Sequence, residues 1–419
     1  MTDRAIDVLV VGAGPAGLAA ACRAAECGAS AAVVDENARP GGQIWRASAG
    51  RLPAAAQPWV VTAGKQGVEW IPAAQVFAAP EPGRLALENA EGELSLTYRS
   101  LILATGARER FLPFPGWTLP NVMGAGGMQA LVKSGLPVEG KKVIVAGTGP
   151  LLLAVAQYLR SREADVRLIA EQARRSALAR FSARLPWHPE KVAQTAQFAW
   201  SLFGVRFLTG CWPMAAAGEG RLERVTLRRG RRTWTEPCDY LACGFGLLPN
   251  TELAELLGCQ IGARGVEVDE FQRSSRENIY AAGEITGIGG VELAVVEGEI
   301  AGFAAGGRQD RARRLFHERA SHGRFAAALE RAFALRQELK TLAQPETLIC
   351  RCEDVPLDRI RSCSGWRDAK LHTRCGMGPC QGRVCGGALE FLRGWKMESV
   401  RPPVVPVRVA SLVGTEPSA

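Results

Sequence analysis

Residues 6–36 read IDVLVVGAGPAGLAAACRAAECGASAAVVDE and carry the signals of a strand, a tight turn, a helix and a second strand. Gly12 permits the tight turn, Gly14 lets the backbone come close to a pyrophosphate, and Gly17 lets the helix pack against the strand. The N-terminus of that helix favours negative charge, which suits a phosphate. Asp35, at the end of the second strand, is placed to accept a hydrogen bond from a ribose hydroxyl. The residues predicted to contact a dinucleotide are Gly12, Ala13, Gly14, Pro15, Ala16, Gly17, Asp35 and Glu36.

The composition is that of a globular protein with more than one domain. The chain has 419 residues, 47% of them hydrophobic, which is enough for two or three cores. Its net charge is +9, but the arginines are interleaved with acidic residues, so nucleic acid is not an expected partner. No apolar run reaches the roughly 18 residues of a membrane span, and no signal peptide is evident. We therefore expect a cytoplasmic protein without a membrane span.

Three later sequence motifs add to the evidence from the first glycine turn. They are NARPGGQIW with Gly41, Gly42 and Gln43, LILATGARER with Thr105 and Gly106, and IYAAGEITGIGG with Gly283 and Glu284. This order resembles the flavoproteins with two dinucleotide-binding domains over about residues 5–305, and the resemblance implies FAD at the first turn. It also implies that the third string contacts the flavin end of FAD, although the family has Asp where this chain has Glu284. We expect Gln43 to lie nearest the isoalloxazine ring.

A second strand–turn–helix–strand unit, KKVIVAGTGPLLLAVAQYLRSREADVRLIAE, covers residues 141–171. Gly147 and Gly149 keep the first two glycine roles. Leu152 occupies the third, where a side chain pushes the helix off the strand or narrows the approach of a phosphate. Glu171 stands where a ribose-binding acid would be. NAD is therefore not favoured here, and two alternatives stay open: a structural domain, or a site for another adenine nucleotide such as ATP or ADP.

A reactive cysteine pair is missing from the place where disulfide reductases of this fold carry one. No C-x-x-C or C-x4-C pair follows Gly41 and Gly42 in the first nucleotide-binding segment. Disulfide reductases need a dithiol beside the flavin to pass electrons onward. The chain is therefore not predicted to be a disulfide reductase, and the electrons of its flavin need another outlet.

The cysteines near the C-terminus offer such an outlet. Cys350 and Cys352 form a C-x-C pair in ICRCEDV, and Cys380 and Cys385 form a C-x4-C pair in GPCQGRVCGG. Four thiolates match the ligand count of a [2Fe–2S] cluster. Zinc is the chemical alternative, but structural zinc sites usually carry C-x2-C pairs, so the C-x-C spacing favours iron and sulfide. Cys375, shortly before the second pair, could replace one of the four ligands.

The tail resembles the small [2Fe–2S] domain of bacterioferritin-associated ferredoxins, in which a C-x-C opens the domain and a second pair precedes its later helix. Here the second pair is wider than that family's usual C-x2-C. The FAD strings, the missing dithiol and the motifs CRCEDV and TRCGMGPCQGRVCG occur together. With this combination the chain resembles, over nearly its whole length, the α (A) subunits of bacterial heteromeric amine dehydrogenases. That family includes opine oxidases, D-hydroxyproline dehydrogenase and hydrogen cyanide synthase.

The resemblance implies a division of labour between subunits. A partner β subunit of the amino-acid-oxidase fold oxidises a C–N bond of an opine, D-hydroxyproline, proline or glycine at its own flavin, and the α subunit relays electrons. Further expectations are an FMN at an interface between subunits and a small ferredoxin-like γ subunit. No catalytic residue is then assigned to this chain.

Two other functions stay open. One is an NAD(P)H-dependent flavin and iron–sulfur reductase that uses the central domain as its pyridine nucleotide site. The other is a non-catalytic binding subunit whose nucleotides are structural.

The predicted fold is α/β, with two Rossmann-like nucleotide-binding domains, the second inserted in the first, and a small α-helical C-terminal [2Fe–2S] domain. Apolar residues at three- and four-residue intervals predict a helical linker before the cysteines. The predicted boundaries are 1–115 and 245–310 for the discontinuous FAD domain, 116–244 for the second domain, 311–345 for the linker, 346–400 for the cysteine domain and 401–419 for the tail.

Overall fold

The computed structural model describes residues 6–47, 50–187, 189–397 and 400–413. The strands are β1 (Ile6–Val11), β2 (Ala31–Val34), β3 (Glu69–Ile71), β4 (Gln75–Glu81), β5 (Arg84–Glu88), β6 (Glu93–Leu103), β7 (Ala107–Glu109), β8 (Val122–Gly124), β9 (Lys142–Gly147), β10 (Asp165–Glu171), β11 (Arg206–Thr209), β12 (Cys211–Ala217), β13 (Arg224–Arg229), β14 (Arg232–Pro237), β15 (Tyr240–Gly244), β16 (Leu247–Pro249), β17 (Ile279–Ala281), β18 (Leu348–Cys350) and β19 (Val355–Pro356).

The α-helices are α1 (Pro15–Glu26), α2 (Gln57–Lys65), α3 (Ala125–Lys133), α4 (Leu151–Arg160), α5 (Arg175–Ser182), α6 (Pro189–Ser201), α7 (Glu252–Leu256), α8 (Val291–Ala305), α9 (Gln309–Arg313), α10 (Phe316–Ala332), α11 (Trp366–Thr373), α12 (Cys385–Arg393) and α13 (Val409–Val413). Short 3-10 helices span Leu185–Trp187, Gln337–Thr341 and Asp358–Ile360.

The chain divides into two compact units. Unit 1 comprises the described parts of Met1–Arg108, Pro249–Ala327 and Ser399–Ala419, and unit 2 those of Glu109–Leu248 and Ala328–Glu398. Each unit has its own sheet and its own hydrophobic core. The cysteine-rich region belongs to unit 2.

Unit 1 is built on a sheet with the order β3-β2-β1-β6-β5-β4, and β17 also pairs with β6. The strands β3, β2, β1 and β17 pair in parallel with their neighbours, whereas β4, β5 and the first half of β6 form an antiparallel extension. All four residues of β2 are buried, as expected in a parallel sheet covered on both faces. Helices α1 and α8 pack very closely at Gly298, which has no side chain. A Cβ there would stand only 2.1 Å from the Ala16 carbonyl oxygen.

Unit 2 contains a parallel sheet with the order β11-β10-β9-β15-β8 and a separate antiparallel sheet of β12, β13 and β14. Helix α4 turns its buried face, which includes Leu152, Val155 and Leu159, toward the parallel sheet. In the C-terminal part of the unit, β18 pairs with β19, and α11 and α12 pack with them around Ile349 and Trp366.

The two parallel sheets with their flanking helices confirm the α/β class with Rossmann-like units. The C-terminal region is mainly helical, with one short strand pair in addition. Among the described helices, none has the length and apolar character needed to cross a membrane.

Candidate functional site

The first glycine turn joins β1 to α1 and faces open space. Gly12 has a φ of +105°, and a Cβ there would stand 2.2 Å from the Ala104 carbonyl oxygen, so only glycine fits. A Cβ on Gly17 would stand 1.8 Å from the Gly12 carbonyl oxygen, so this glycine lets α1 rest on the turn. Gly14 is the N-cap of α1, and a Cβ on it would meet no atom within 4 Å. No side chain caps this end of the helix. The N–H groups of the first helical turn can therefore receive an anion such as a pyrophosphate.

The GGQ string lies directly against this turn. The Gly41 N–H donates to the Ala13 carbonyl oxygen at 2.8 Å. A Cβ on Gly42 would stand 2.8 Å from the Cα of Gly14. Gln43 is exposed. The structure therefore brings the first two predicted segments together.

Asp35 and Glu36, at the end of β2, have different surroundings. Asp35 is 7% exposed and accepts hydrogen bonds from the Ala13 N–H at 2.6 Å and the Asn37 N–H at 2.7 Å. Glu36 is exposed and accepts a hydrogen bond from Gln75 Nε2 at 3.2 Å. It lines a cavity of about 360 Å³ together with Asn37 and Gln75. Asp35 thus braces the turn, and Glu36 offers a second carboxylate at the same strand end.

The ATG string is fixed by a residue that sequence reasoning missed. The Thr105 hydroxyl donates to the Asn250 carbonyl oxygen at 2.7 Å, and Asn250 Nδ2 donates to the Thr105 carbonyl oxygen at 2.9 Å. The Asn250 N–H also donates to the Gly106 carbonyl oxygen at 3.0 Å. These three bonds lock the string, and no local sequence signal announces them.

Gly283 and Glu284 lie beside a buried carboxylate that was also missed. Glu297, on α8 and 8% exposed, accepts hydrogen bonds from the Gly283 N–H at 2.9 Å and the Thr286 hydroxyl at 3.0 Å. Burial raises the pKa of Glu297 to about 7, and burial also raises the pKa of Glu284. The sequence did contain a signal for Glu297, which lies in the otherwise apolar stretch AVVEGEIAG. An acid in such a stretch is expected to be buried, and a buried carboxylate needs a hydrogen-bond partner.

The second glycine turn, in unit 2, repeats part of the first. Gly147 has a φ of +136°. Glu171, 2% exposed, accepts hydrogen bonds from the Gly149 N–H at 2.8 Å and the Thr148 hydroxyl at 3.0 Å, and burial raises its pKa to about 7. Leu152 is 1% exposed and fills the third position with its side chain. The turn and its acid are retained, whereas the third glycine is not.

The segment before the cysteines lies against this second turn. The Thr148 hydroxyl is 3.0 Å from the Phe333 carbonyl oxygen. Gln172 Nε2 donates to the Ala334 carbonyl oxygen at 3.2 Å, and its Oε1 accepts from the Arg336 N–H at 3.1 Å. The linker and the second turn therefore share one hydrogen-bonded network.

Three buried cysteines converge in the C-terminal region. The sulfur atoms of Cys350, Cys375 and Cys385 all lie within 4.8 Å of one another, and none of the three residues is more than 1% exposed. Cys350 ends β18, Cys375 follows α11, and Cys385 begins α12. The Gly376 N–H points to the Cys350 sulfur at 3.5 Å. Cys375, only an alternative ligand in the sequence, is thus part of this group.

The ionisation of these thiols favours a cationic ligand. Hydrogen bonds from the Cys375 and Cys385 thiols lower the pKa of Cys350 to about 2. The contact with Cys350 raises the pKa of Cys375 to about 12 and raises that of Cys385 far above its usual value. Cys350 is therefore favoured as the thiolate, with Cys375 and Cys385 as protonated donors to it, because like charges this close repel. A metal ion or cluster would supply the positive charge that lets more of them ionise.

Cys352 and Cys380 form a second pair beside this trio. Cys352 is exposed and interacts electrostatically with Cys350, and it is hydrogen-bonded to both the backbone and the thiol of Cys380. A Cβ on Gly378 would stand 2.3 Å from the Cβ of Cys352, so the GMGPC loop packs on the C-x-C pair. Of the predicted ligands, Cys350 and Cys385 lie in the buried trio, and the other two lie at its exposed side.

The other cysteines offer no dithiol. All twelve cysteines lie in the described residues and all are free thiols. Two pairs of the other cysteines have C-x4-C spacing. Cys238 and Cys243 are both buried in the core of unit 2, and burial raises the pKa of each. Burial likewise raises the pKa of Cys22 and of Cys27. Buried thiols of this kind are unreactive.

Comparison with known proteins gives these features a family context. The model of the family described as pyridine nucleotide-disulphide oxidoreductase matches residues 6–299. The A subunit of opine oxidase from Agrobacterium tumefaciens (strain Ach5) is 30% identical over 474 residues, covering 97% of this chain and 91% of that protein. The HcnB subunit of hydrogen cyanide synthase from Pseudomonas aeruginosa is 31% identical over 423 residues, covering 90% of each protein.

A solved structure shows the same overall fold. The L-proline dehydrogenase structure from P. horikoshii covers 98% of this chain, and 79% of that chain is covered in return, with a TM-score of 0.66. The sequence identity is 18%, so this likeness speaks for the fold alone.

Proposed function

The chain belongs to the pyridine nucleotide-disulphide oxidoreductase family, and from that premise we propose that it is the electron-transfer subunit of an enzyme that oxidises a C–N bond. It groups with the A subunits of opine oxidases and the HcnB subunits of hydrogen cyanide synthases, and it is a flavin-dependent oxidoreductase subunit. In the proposal, a partner β subunit of the amino-acid-oxidase fold holds the substrate, which is an opine, D-hydroxyproline, proline or glycine.

One observation carries the proposal: three buried sulfurs converge, with a second cysteine pair beside them, in a chain that also has an open dinucleotide turn. An all-thiolate donor set fits a [2Fe–2S] cluster. The proposed iron ligands are Cys350, Cys352, Cys380 and Cys385. Cys375 then serves as a hydrogen-bond donor to Cys350.

The first turn and its three strings fit FAD. The open N-terminus of α1 would receive the negatively charged pyrophosphate, and Asn250 holds Thr105 and Gly106 in place. Glu297, with its pKa of about 7, can hold or release a proton at its carboxyl group close to Gly283. FAD supplies exchange between two-electron and one-electron transfer, and an iron–sulfur cluster supplies single-electron transfer.

The ligand assignment is tested by replacing single cysteines in the full chain. In Cys380→Ser we expect loss of the visible absorbance of the cluster and of most bound iron and sulfide, while FAD stays bound. Cys363→Ser is the matched control, because this half-buried cysteine lies outside the trio, and it should keep both cofactors. Full iron and sulfide in Cys380→Ser would overturn the assignment. Loss of iron in Cys375→Ser instead would put Cys375 in its place.

The division of labour is tested by activity with and without a partner. The chain alone should not oxidise opines, D-hydroxyproline, proline or glycine. Coexpression with an amino-acid-oxidase-like partner should give a complex that does, with electrons reaching the iron of this chain. Oxidation of any of these substrates by the isolated chain would contradict the proposal.

A second function, an NAD(P)H-dependent reductase, is favoured by the retained turn and acid at Gly147, Gly149 and Glu171. NADH added anaerobically to the full chain separates the two. Rapid bleaching of the flavin absorbance would support the reductase. An unchanged flavin spectrum is the result expected of the electron-transfer subunit.

A further inference from the structure

The described segment 400–413 returns to unit 1 and lies on the antiparallel strands β4 and β5. The Val404 N–H donates to the Phe77 carbonyl oxygen at 2.8 Å, as an added strand would. Val405 and Val407 pack against the buried cluster that contains Phe77. The segment is therefore held by both a backbone bond and apolar contacts.

Arg408 anchors this segment at the end of β5. Its backbone N–H donates to Glu88 Oε2 at 3.0 Å, and its Nε donates to Glu88 Oε1. The same guanidinium donates to the carbonyl oxygens of Asn89 and Ala90. The Glu88 side chain is only 14% exposed, so its charge is balanced in place by Arg408.

Pro406, between these two anchors, lines the cavity of about 360 Å³ described above. The other residues that line it include Glu36, Gln75, Glu88 and Asn89. The cavity begins at the carboxyl end of β2, directly after Asp35. In a Rossmann unit the ribose lies at that strand end, and the adenine extends beyond it. The cavity is therefore at the adenosine end of the dinucleotide site, and its volume is in the range of small-molecule sites.

We propose that residues 404–408 form the closing wall of the adenosine end of the FAD site, with Pro406 as the wall and Arg408 as its clamp. The inference rests on the proposed binding of FAD by unit 1. Pro406 offers an apolar face to the adenine ring. Glu36, which is exposed and lines the cavity, can accept hydrogen bonds from the ribose hydroxyls. The same carboxylate repels an additional phosphate, so the site selects adenosine without a 2′-phosphate.

The test is the dissociation constant of FAD from the full-length apoprotein. Arg408→Ala removes the guanidinium bonds to Glu88, Asn89 and Ala90 and leaves only the backbone bond to Glu88, and we expect the dissociation constant to rise about tenfold. Arg401→Ala is the matched control, because it removes an exposed arginine at the start of the same segment, and its affinity should equal that of the wild type. Pro406→Asp leaves the clamp in place and puts a carboxylate in the wall, and it should weaken FAD binding by at least as much.

Circular dichroism of each apoprotein separates a local effect from a loss of fold. Wild-type affinity for FAD in both Arg408→Ala and Pro406→Asp would overturn the wall while leaving the FAD assignment intact. Weakened binding that comes with a comparable loss of the native spectrum would overturn it as well. A wild-type chain that binds no FAD would overturn the proposed function itself.

Discussion

The two glycine turns share a backbone plan and differ at one position. In each, an acid at the end of the second strand accepts a hydrogen bond from a turn N–H: Asp35 in the first and Glu171 in the second. The third position of the motif is Gly17 in the first and Leu152 in the second. The acid is retained where the third glycine is not.

This difference separates two tasks that the motif usually performs together. The acid stabilises the turn itself, so a purely structural domain also benefits from it. The third glycine sets how closely the helix approaches the turn, which matters most when a pyrophosphate must lie there. The second turn is moreover tied to the linker through Thr148 and Gln172. The comparison therefore favours the first turn as the candidate cofactor site and the second as a packed turn.

Gly17→Leu gives the first turn the residue of the second and should have the largest effect. Its Cβ alone would stand 1.8 Å from the Gly12 carbonyl oxygen, so α1 must move away from the turn. We expect FAD affinity to fall by about 1,000-fold, or about 4 kcal/mol, in titrations of the apoprotein. Gly64→Leu, at an exposed glycine of α2 whose Cβ would meet no atom within 4 Å, should keep its flavin. Wild-type affinity in Gly17→Leu would remove the distinction between the turns.

Leu152→Ala tests whether the second turn is a packed core. The side chain is buried with Val155 and Leu159, so its truncation leaves a cavity. We expect the free energy of unfolding in urea to fall by about 3 kcal/mol, with the flavin content unchanged. Leu131→Ala, at a leucine that is 49% exposed, should cost less than about 0.5 kcal/mol. Loss of flavin from Leu152→Ala would show that the second turn also serves the cofactor.

Glu171→Gln probes the acid that both turns share. Because burial raises its pKa from 4.5 to about 7, the folded state holds the proton more tightly than the unfolded state. The contribution to stability is fully present below about pH 4.5 and is lost as the pH rises through about 7. Between pH 5 and 8, the unfolding free energy of the wild type should fall by about 2 kcal/mol relative to Glu171→Gln, measured by urea denaturation.

The control for this pH series is Glu139→Gln, which removes an exposed carboxylate of the same unit and should keep the wild-type profile. A difference between wild type and Glu171→Gln that does not change with pH would show that the carboxylate is solvated. The retained acid would then give no reason to regard the second turn as a packed one.

The first turn could be predicted from sequence because its requirements are local. Gly12, Gly14, Gly17 and Asp35 fall within one strand–helix–strand stretch, and each has one steric or hydrogen-bonding task. Their contact with FAD stays a prediction, but the turn that they form is present. The sequence also showed that the second turn lacks its third glycine.

The residues that complete the candidate sites could not be predicted from the sequence. They are distant along the chain, and only folding brings them next to the motifs that they contact. Asn250 is 145 residues from Thr105, and no spacing rule connects them. Cys375 was likewise not predictable as a member of the buried group, although it is close in sequence to Cys385. Its residue type made it an alternative ligand, but only the path of the loop after α11 puts its sulfur beside those of Cys350 and Cys385. Pairs of cysteines are legible in a sequence, whereas the group that they form is set in three dimensions.

The bond between Arg408 and Glu88 joins residues 320 positions apart, and this separation has a consequence during protein synthesis. A ribosome that adds about 5–20 residues per second makes Arg408 roughly 16–64 s after Glu88. During that interval β4 and β5 exist without the segment that covers the cavity. The nascent chain can therefore form its glycine turn well before the bond between Arg408 and Glu88 is possible. If residues 404–408 close the FAD site as proposed, a product released before Arg408, or clipped ahead of it, would bind FAD more weakly than the full chain.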